Sequence, residues 1–250
     1  MATGASAVPL LVHLELTDDQ QRRIREQTGL SVRSVPYESS ARAIRVSFGG
    51  ITLHVPRGVF VPAAASERTL SAAAGVAAEW SAPIVVDAGT GCGAIALSLA
   101  QSLPSASVYG TDISEFAVRA ARKNRARLGL QNARFLLGSL LSPLPKRLLG
   151  RVAVIVANAP YVPPRLAEAF AGAVPADTAI GAGADGLGLL RQIALEARRF
   201  LVPGGSLVLQ MTDFQWASFS EELVALGYTE PKVLAAGPGP IAGQVRWRSR

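Results

Sequence analysis

The sequence has few of the residues that cross-link proteins or bind metals. Its single cysteine, Cys92, cannot form a disulfide within the chain, and its two histidines, His13 and His54, show no metal-ligand spacing. No apolar run approaches the roughly 18 residues that span a bilayer. Residues 1–9 carry no positive charge ahead of an apolar segment, as a secretory signal would. We therefore expect a metal-free cytoplasmic protein that does not associate with membranes.

Acidic residues are also scarce relative to basic ones, and the formal net charge is +7. A basic surface can attract nucleic acid. No aromatic residues interleave the densest basic cluster, however, and a solvated helix face explains it equally well. The sequence therefore does not favour direct nucleic-acid binding. The cluster comprises Arg119, Arg122, Lys123, Arg125 and Arg127.

The order of hydrophobic patterns predicts an α/β fold. Apolar alternation on both sides of Gly49-Gly50 predicts a β-hairpin over 43–55, and a capped start at Thr17 predicts a short helix to about residue 28. From residue 67 onward helices and strands alternate, as in a Rossmann-like, mostly parallel doubly wound sheet with an antiparallel edge. Predicted strands cover 83–88, 107–112, 133–137, 152–157, 206–211, 231–236 and 243–248, and predicted helices cover 67–80, 93–103, 114–128, 185–201 and 215–226.

These patterns also divide the chain. We expect a small N-terminal region over residues 1–62, made of the helix and the hairpin, and a larger domain over residues 63–250. Residues 162–184 lack periodicity and are rich in proline, alanine and glycine. A segment of this kind beside a ligand site is typical of an active-site loop or lid.

A glycine-rich turn marks the predicted ligand site. The buried strand ending at Asp87 is followed by Gly89, Gly91 and Gly93, and a helical pattern begins immediately afterwards. Glycines here let a nucleotide-like ligand approach the backbone closely. Asp112 ends the next strand about 20 residues later, where a carboxylate can bind both hydroxyls of a ribose. NAD and S-adenosylmethionine both satisfy this pattern.

A second motif distinguishes the two cofactors. The fourth strand of the alternating series leads into Asn158-Ala159-Pro160-Tyr161, which resembles the Asn-Pro-Pro-Tyr signature of methyltransferases acting on planar amide or amine nitrogens. The stretch ending in the glycine turn resembles the first motif of class I methyltransferases. Gly110-Thr111-Asp112 and Asp185-Gly186-Leu187 add further similarity. Together they resemble the glutamine-amide methyltransferase family that modifies peptide release factors, and the Asn-Ala-Pro-Tyr variant is similar to that of an actinobacterial branch.

The resemblance implies a class I fold, S-adenosylmethionine as cofactor and methyl transfer to a glutamine amide of a protein such as a release factor. It implies that the Asn158 side-chain carbonyl and the Ala159 backbone carbonyl accept the two N–H groups of the acceptor. Pro160 would stiffen this turn and Tyr161 would provide an aromatic wall. The implied cofactor-binding residues are Asp87, Gly89, Thr90, Gly91, Gly93, Asp112, Ile113, Ser139 and Asn158.

Several positions depart from the family pattern. Ala63 replaces an arginine of the linker, Ala159 a proline, Ser139 an aspartate near the adenine, and Gln210 an acid after the fifth strand. The leading segment of about 42 residues is also short for a recognition domain. A methyltransferase of the same fold acting on a small molecule in specialised metabolism, and a degenerate cofactor-binding protein, therefore remain alternatives.

Overall fold

The computed structural model describes residues 10–12, 22, 32–34, 43–163, 183–236 and 240–248. In the leading segment, β1 (Leu10–Val12) pairs in parallel with β2 (Val32–Ser34). The predicted helix over 17–28 lies outside the described residues except for Arg22, which is helical. His13 and most of the predicted loop over 162–184 also lie outside them.

A seven-stranded sheet forms the centre of the molecule, in the order β10-β11-β9-β8-β5-β6-β7. The five strands from β5 to β9 run parallel, and β11 pairs antiparallel with both β9 and β10. The predicted fold class is therefore confirmed. The strands are β5 (Ile84–Ala88), β6 (Ser107–Asp112), β7 (Ala133–Leu137), β8 (Val152–Ala157), β9 (Leu201–Met211), β10 (Tyr228–Ala235) and β11 (Ile241–Trp247).

In the part of the chain that the structure describes, five α-helices cover the two faces of this sheet: α1 (Ala64–Ala77), α2 (Ala94–Ser102), α3 (Glu115–Leu128), α4 (Gly188–Phe200) and α5 (Asp213–Ala225). The first three pack with the hairpin β3 (Ile44–Phe48) and β4 (Ile51–Val55) in one apolar cluster. The other two pack in a second cluster on the opposite face. Strand residues alternate between the two clusters, because successive side chains of a strand point to opposite faces.

The hairpin is part of the main core rather than a separate lobe. Phe48, Leu53 and Val55 are buried among residues of α1, α2 and α3. Asn124 on α3 joins the hairpin to the glycine turn: its Oδ1 accepts from His54 N at 3.0 Å, and its Nδ2 donates to His54 O at 3.1 Å and to Cys92 O at 3.0 Å. His54 is half-buried in β4, as predicted for a strand residue. The boundary predicted at residue 62 stays a prediction.

Several predicted boundaries were wrong by a few residues, two of them because of local capping. α1 begins at Ala64 rather than 67, since Ser66 Oγ accepts from Ala63 N at 3.4 Å, and α5 begins at Asp213 rather than 215, since Thr212 and Gln215 form a capping box. α4 begins at Gly188 rather than 185. β9 begins at Leu201 rather than 206, and its pairing with β8 shifts register near its start. No helix among the described residues is long and apolar enough to cross a membrane.

The role of Asn124 can be tested by truncation. Asn124→Ala removes three hydrogen bonds to the backbone of His54 and Cys92, two of them partly buried and one fully buried, so the free energy of unfolding should fall by about 3 kcal/mol. Urea unfolding followed by circular dichroism measures this change. Gln131→Ala is the control, because that exposed side chain bonds only Gly129 O at 3.3 Å and its loss should cost less than about 0.5 kcal/mol. Equal stability of the two variants would contradict this role.

Candidate functional site

The candidate site lies where the order of parallel strands reverses. From β5 the chain adds β6 and β7 on one side and then β8 and β9 on the other, so β5 and β8 are neighbours. In their register Asp87 pairs with Val156 and Ala88 with Ala157. Such a switch point opens a crevice at the carboxyl edge of the sheet, which is the usual ligand site of this architecture. The glycine turn (residues 89–93) and the Asn-Ala-Pro-Tyr turn (residues 158–161) therefore begin side by side.

The three glycines of the predicted glycine turn have left-handed backbone. Gly89, Gly91 and Gly93 have φ angles of 76°, 56° and 87°. A Cβ added at Gly91 would meet no atom within 4 Å, and one at Gly89 would meet only the Ala159 Cα, at 4.0 Å. Among the described residues the space above this backbone is thus open, so a ligand can lie close to the turn. The amides themselves are already bonded: those of Gly89 and Thr90 donate to Thr111 O, and that of Gly91 donates to Asp112 Oδ2.

Asp87 orders the glycine turn from beneath. Its Oδ2 accepts from Thr90 Oγ1 at 2.7 Å and from Ala96 N at 3.2 Å, and the side chain is buried. Burial raises the pKa of the Asp87 carboxyl to about 6, against the lowering effect of these two bonds. Cys92 is likewise buried, and burial raises the pKa of its thiol to about 12, which suits a small packing residue in the turn. Asp87 and Thr90 are therefore structural partners within the turn.

Asp112 lies at the rim of the crevice. Its Oδ2 accepts from Gly91 N and its Oδ1 from Ser114 N, both at 2.9 Å, so the half-buried carboxylate is held in one orientation. Ser114, not Asp112, caps α3 by accepting from Ala117 N. Ile113 follows with 76% of its surface exposed, which leaves an apolar side chain in solvent beside the carboxylate. An exposed apolar group next to a fixed acceptor is suited to a flat heterocycle joined to a sugar.

Ser139 lies on the same edge, in the turn that follows β7. It is exposed, and its backbone oxygen accepts from Ser142 N at 3.0 Å and from Ser142 Oγ at 2.6 Å. These bonds close the turn without using the Ser139 hydroxyl. Ser139 is thus placed at the correct edge, while its predicted contact with a cofactor stays a prediction.

The Asn-Ala-Pro-Tyr turn begins directly after β8. Asn158 is half-buried, and its Nδ2 donates to Ser66 Oγ on α1 at 3.0 Å. None of the described residues donates a hydrogen bond to Asn158 Oδ1, so this oxygen is available to an acceptor molecule. Ala159 is buried and Pro160 is exposed.

Tyr161 is fixed from two directions. Its backbone oxygen accepts from Gln215 Nε2 at 2.8 Å, and its hydroxyl accepts from Gln210 Nε2 at 3.2 Å. Burial raises the pKa of the Tyr161 phenol to about 12, so the phenol stays protonated at neutral pH. Gly186 packs against the same backbone, since a Cβ there would overlap the Tyr161 carbonyl oxygen. The ring is therefore a rigid wall of the crevice.

An ion cluster holds the segment that carries Gly186. Arg191 binds Asp185 Oδ2 at 2.6 Å and Glu222 Oε2 at 2.7 Å, which connects the start of α4 to α5. Asp185 Oδ1 also accepts from Leu187 N at 3.0 Å. The Arg191 guanidinium lowers the pKa of Asp185 to about 2, so the cluster stays ionised above strongly acidic pH.

Sequence reasoning missed four residues that shape this site. Thr69 falls within the predicted helix and Ser66 just before it, so their shared position on one face of α1 follows only from the observed helix start at Ala64. Gln215 was detectable from the capping-box spacing after Thr212. Gln210 was noted as a departure, but its bonds to Tyr161 and Thr69 depend on the packing of α1 against β9. Among the described residues no group of His, Cys, Asp or Glu side chains could hold a metal ion.

Comparisons with known proteins agree with the geometry. The family model described as "Methyltransferase domain" matches residues 81–234. A release factor glutamine methyltransferase of Deinococcus radiodurans is 37% identical over 186 residues, covering 73% of this chain and 65% of that protein. A 4-amino-L-phenylalanine/4-methylamino-L-phenylalanine methyltransferase of Streptomyces pristinaespiralis is 37% identical over 178 residues, covering 68% of this chain and 60% of that protein. The predicted resemblance is thus confirmed, and the chain spans less than two thirds of the length of these two relatives.

A solved structure shares the fold. The T. thermophilus 16S rRNA N2 methyltransferase in complex with AdoMet and guanosine superposes with a TM-score of 0.61. It is 23% identical in sequence, and the match covers 88% of this chain and 54% of that one.

The raised pKa of Asp87 predicts a pH dependence of stability. Burial raises the pKa of Asp87 from its ordinary value of 3.8 to about 6 in the folded protein. The folded state therefore binds the proton more tightly than the unfolded state, and stability should fall as pH rises from about 4 to 6. This change corresponds to about 3 kcal/mol. Asp87→Asn removes the titration. Urea titrations at pH 4 to 7 measure the unfolding free energies of wild type and this variant. As pH rises over this range, wild type should lose about 3 kcal/mol of stability relative to the variant. A difference independent of pH would contradict the assignment.

The packing of Gly186 against Tyr161 predicts unequal effects of two glycine substitutions. Gly186 and Gly150 have φ angles of 80° and 65°, but a Cβ at Gly150 would meet no atom within 4 Å. Gly150→Ala should therefore cost only the left-handed backbone strain, about 1 kcal/mol. Gly186→Ala should cost at least about 2 kcal/mol more, because it displaces the Tyr161 backbone. Urea unfolding measures both, and equal losses would show that Gly186 does not hold the turn.

Proposed function

Because this chain belongs to the methyltransferase family whose domain model it matches, we propose that it is an S-adenosylmethionine-dependent N-methyltransferase. The acceptor that we propose is a glutamine side-chain amide of a protein such as a peptide release factor, in the cytoplasm. In this proposal residues 1–62 recognise the acceptor protein and residues 63–250 bind the cofactor. The observation that carries it is the placement of the glycine turn beside the Asn-Ala-Pro-Tyr turn on adjacent strands.

The residues present fit the cofactor. S-Adenosylmethionine has an adenine, a ribose with two hydroxyls and a charged methionine end. The bare backbone at Gly91 leaves open space for the methionine end, and the Asp112 carboxylate can accept from both ribose hydroxyls. Ile113 provides an exposed apolar surface for the adenine, and Ser139 lies at the same edge. When bound, the cofactor supplies a methyl group made electrophilic by its positive sulfur.

The remaining residues of the glycine turn support this site indirectly. Asp87 and Thr90 fix the turn through their mutual hydrogen bond, and Gly93 allows α2 to begin without a clash with Leu97 and Ala121. In this proposal Gly89 lets the methionine end lie against the backbone next to Ala159. The Asp87 carboxylate acts through the turn, because it is buried beneath it.

The Asn-Ala-Pro-Tyr turn suits a neutral, planar nitrogen that carries two hydrogens. The lone pair of an amide nitrogen is delocalised into its carbonyl, so the nitrogen must be held in line with the methyl group. Asn158 Oδ1 and the Ala159 carbonyl can accept its two N–H groups and favour the positive charge that develops on nitrogen. Pro160 limits the backbone of the turn, and Tyr161 covers one face of the planar group. The surplus proton can leave to solvent after transfer.

An aromatic amine is the second candidate acceptor. The Streptomyces pristinaespiralis relative is named for 4-amino-L-phenylalanine, whose ring amine is also neutral and nearly planar. Gln210, which stands where the resembling family tends to carry an acid, bonds the Tyr161 hydroxyl with a neutral amide. Both acceptors share the chemistry that the turn can bind, and they differ in what surrounds the nitrogen.

An acceptor assay separates the candidates. The purified chain is incubated with S-adenosylmethionine labelled in its methyl group and with a peptide release factor, the same factor with its acceptor glutamine changed to alanine, or 4-amino-L-phenylalanine. Label entering only the unmodified factor supports the glutamine amide, whereas label entering only the amino acid supports the small-molecule acceptor. No transfer together with tight cofactor binding would contradict the proposed activity on both acceptors.

Two substitutions should separate cofactor binding from transfer. Asp112→Asn removes the charged acceptor for the ribose, so the Kd for S-adenosylmethionine should rise about tenfold or more. Asn158→Ala should leave that Kd nearly unchanged while kcat falls about a hundredfold, because the missing carbonyl faces the acceptor. Isothermal titration calorimetry and the methyl-transfer assay measure the two effects.

Glu221→Gln is the matched control for Asp112→Asn, since Glu221 is an exposed carboxylate on α5. It should change neither quantity. Weaker cofactor binding in Asn158→Ala, with normal kcat at saturation, would reverse the roles assigned here.

A further inference from the structure

Helix α1 presents two buried hydroxyls to the site. Ser66 and Thr69 lie three residues apart near the start of α1, and they are 2% and 0% exposed. Residues at this spacing lie on the same helix face. Both hydroxyls bond to side chains of the crevice rather than only to their own helix. Burying a polar group without a hydrogen bond costs free energy. The residues that bond the Ser66 and Thr69 hydroxyls therefore indicate what the two hydroxyls do.

Ser66 holds the nitrogen end of the Asn158 amide against α1. A side-chain amide has a donor end and an acceptor end of nearly the same shape. Ser66 Oγ accepts from Asn158 Nδ2 at 3.0 Å, with good hydrogen-bond length. The donor end is therefore used on α1, and the acceptor end, Oδ1, is left for the acceptor molecule. The rotated amide would place N–H groups against the N–H groups of the substrate.

Thr69 acts on Tyr161 through Gln210. Thr69 Oγ1 donates to Gln210 Oε1 at 2.8 Å, and Gln210 Nε2 in turn donates to the Tyr161 hydroxyl at 3.2 Å. Gln210 is 4% exposed, so this three-residue chain is shielded from water. Within such a chain the first bond orients the amide of the second residue, which then fixes the third. Thr69 thereby sets the position of the aromatic wall.

We propose that Ser66 and Thr69 are positioning residues that align Asn158 and Tyr161 for the acceptor nitrogen. This inference rests on the proposed function. Because both hydroxyls belong to one rigid helix, the distance between the carbonyl of Asn158 and the ring of Tyr161 is set by α1 as well as by the turn itself. The helix is thus part of the acceptor site, although neither hydroxyl contacts the reacting atoms.

Kinetic measurements on variants test whether Ser66 positions Asn158. Ser66→Ala should lower kcat for methyl transfer about tenfold with an unchanged Kd for S-adenosylmethionine, since Ser66 acts on the acceptor side. Ser71→Ala is the matched control, because Ser71 lies on the same helix and its exposed hydroxyl donates to Glu67 O at 2.9 Å, its one partner among the described residues. It should leave kcat unchanged. Unchanged kcat in Ser66→Ala would overturn the proposed role of Ser66.

A double variant shows whether Ser66 acts through Asn158. If it does, Ser66→Ala combined with Asn158→Ala should be no slower than Asn158→Ala alone, because the orienting bond has already been lost. If the two losses multiply, Ser66 acts independently and the proposed role is wrong.

Two conservative substitutions of Thr69 test whether its hydroxyl positions Tyr161. Thr69→Ser keeps the hydroxyl and removes a methyl group, whereas Thr69→Val keeps the shape and removes the hydroxyl. The proposal predicts near wild-type kcat in the serine variant and a fall of about tenfold in the valine variant. Equal kcat values in the two variants would show that Thr69 contributes packing alone.

A spectroscopic readout separates failure of this proposal from failure of the proposed function. In ¹⁵N-labelled protein, the side-chain NH₂ signals of Asn158 are identified by their loss in Asn158→Ala. Ser66→Ala should move these signals and speed their exchange with water, and Ser71→Ala should not. This result would support the proposed role of Ser66 even if no tested acceptor were methylated. Unmoved signals in Ser66→Ala would overturn it whatever the activity.

Discussion

The register between two parallel strands is the constraint on which the site depends. β5 and β8 are neighbours only because the chain reverses its direction of strand addition after β7. Their pairing ends with Ala88 opposite Ala157, so the next residues of both strands leave the sheet at the same edge. A ligand bound on the glycine turn therefore lies beside the Asn-Ala-Pro-Tyr turn without any movement of the backbone. This adjacency is what a transfer between two bound molecules requires.

Polar groups buried around this edge keep the two turns in place at a cost in stability. The Asp87 carboxyl lies beneath the glycine turn, where burial disfavours its charge, and its bonds to Thr90 and Ala96 offset part of that penalty. On the other side of the crevice the fixing groups are neutral, namely the hydroxyls of α1 and the amide of Gln210. In the proposed function, these neutral groups hold the wall without adding a negative charge beside the acceptor nitrogen.

Local patterns were sufficient for most of the fold. β6, β7 and β8 have the predicted bounds, because buried apolar runs between turn signals are distinctive. The glycine turn lies between a strand and a helix, as predicted. The starts of α1 and α5 were missed because Ser66 and Gln215 extend each helix by reaching back to an N-cap amide. The contacts from α1 to Asn158 and Gln210 span 92 and 141 residues of sequence. No single-sequence periodicity reports on such distant pairs, so these residues required the tertiary structure.

A crystal structure of the chain with S-adenosylhomocysteine would show whether the cofactor binds where the glycine turn and the Asn-Ala-Pro-Tyr turn meet. We predict that the sulfur lies in the crevice between Gly89 and Ala159, that the ribose bonds Asp112 and that Asn158 Oδ1 stays unbonded to the cofactor. Binding elsewhere on the chain, or an Asn158 amide rotated so that its nitrogen faces the crevice, would contradict it.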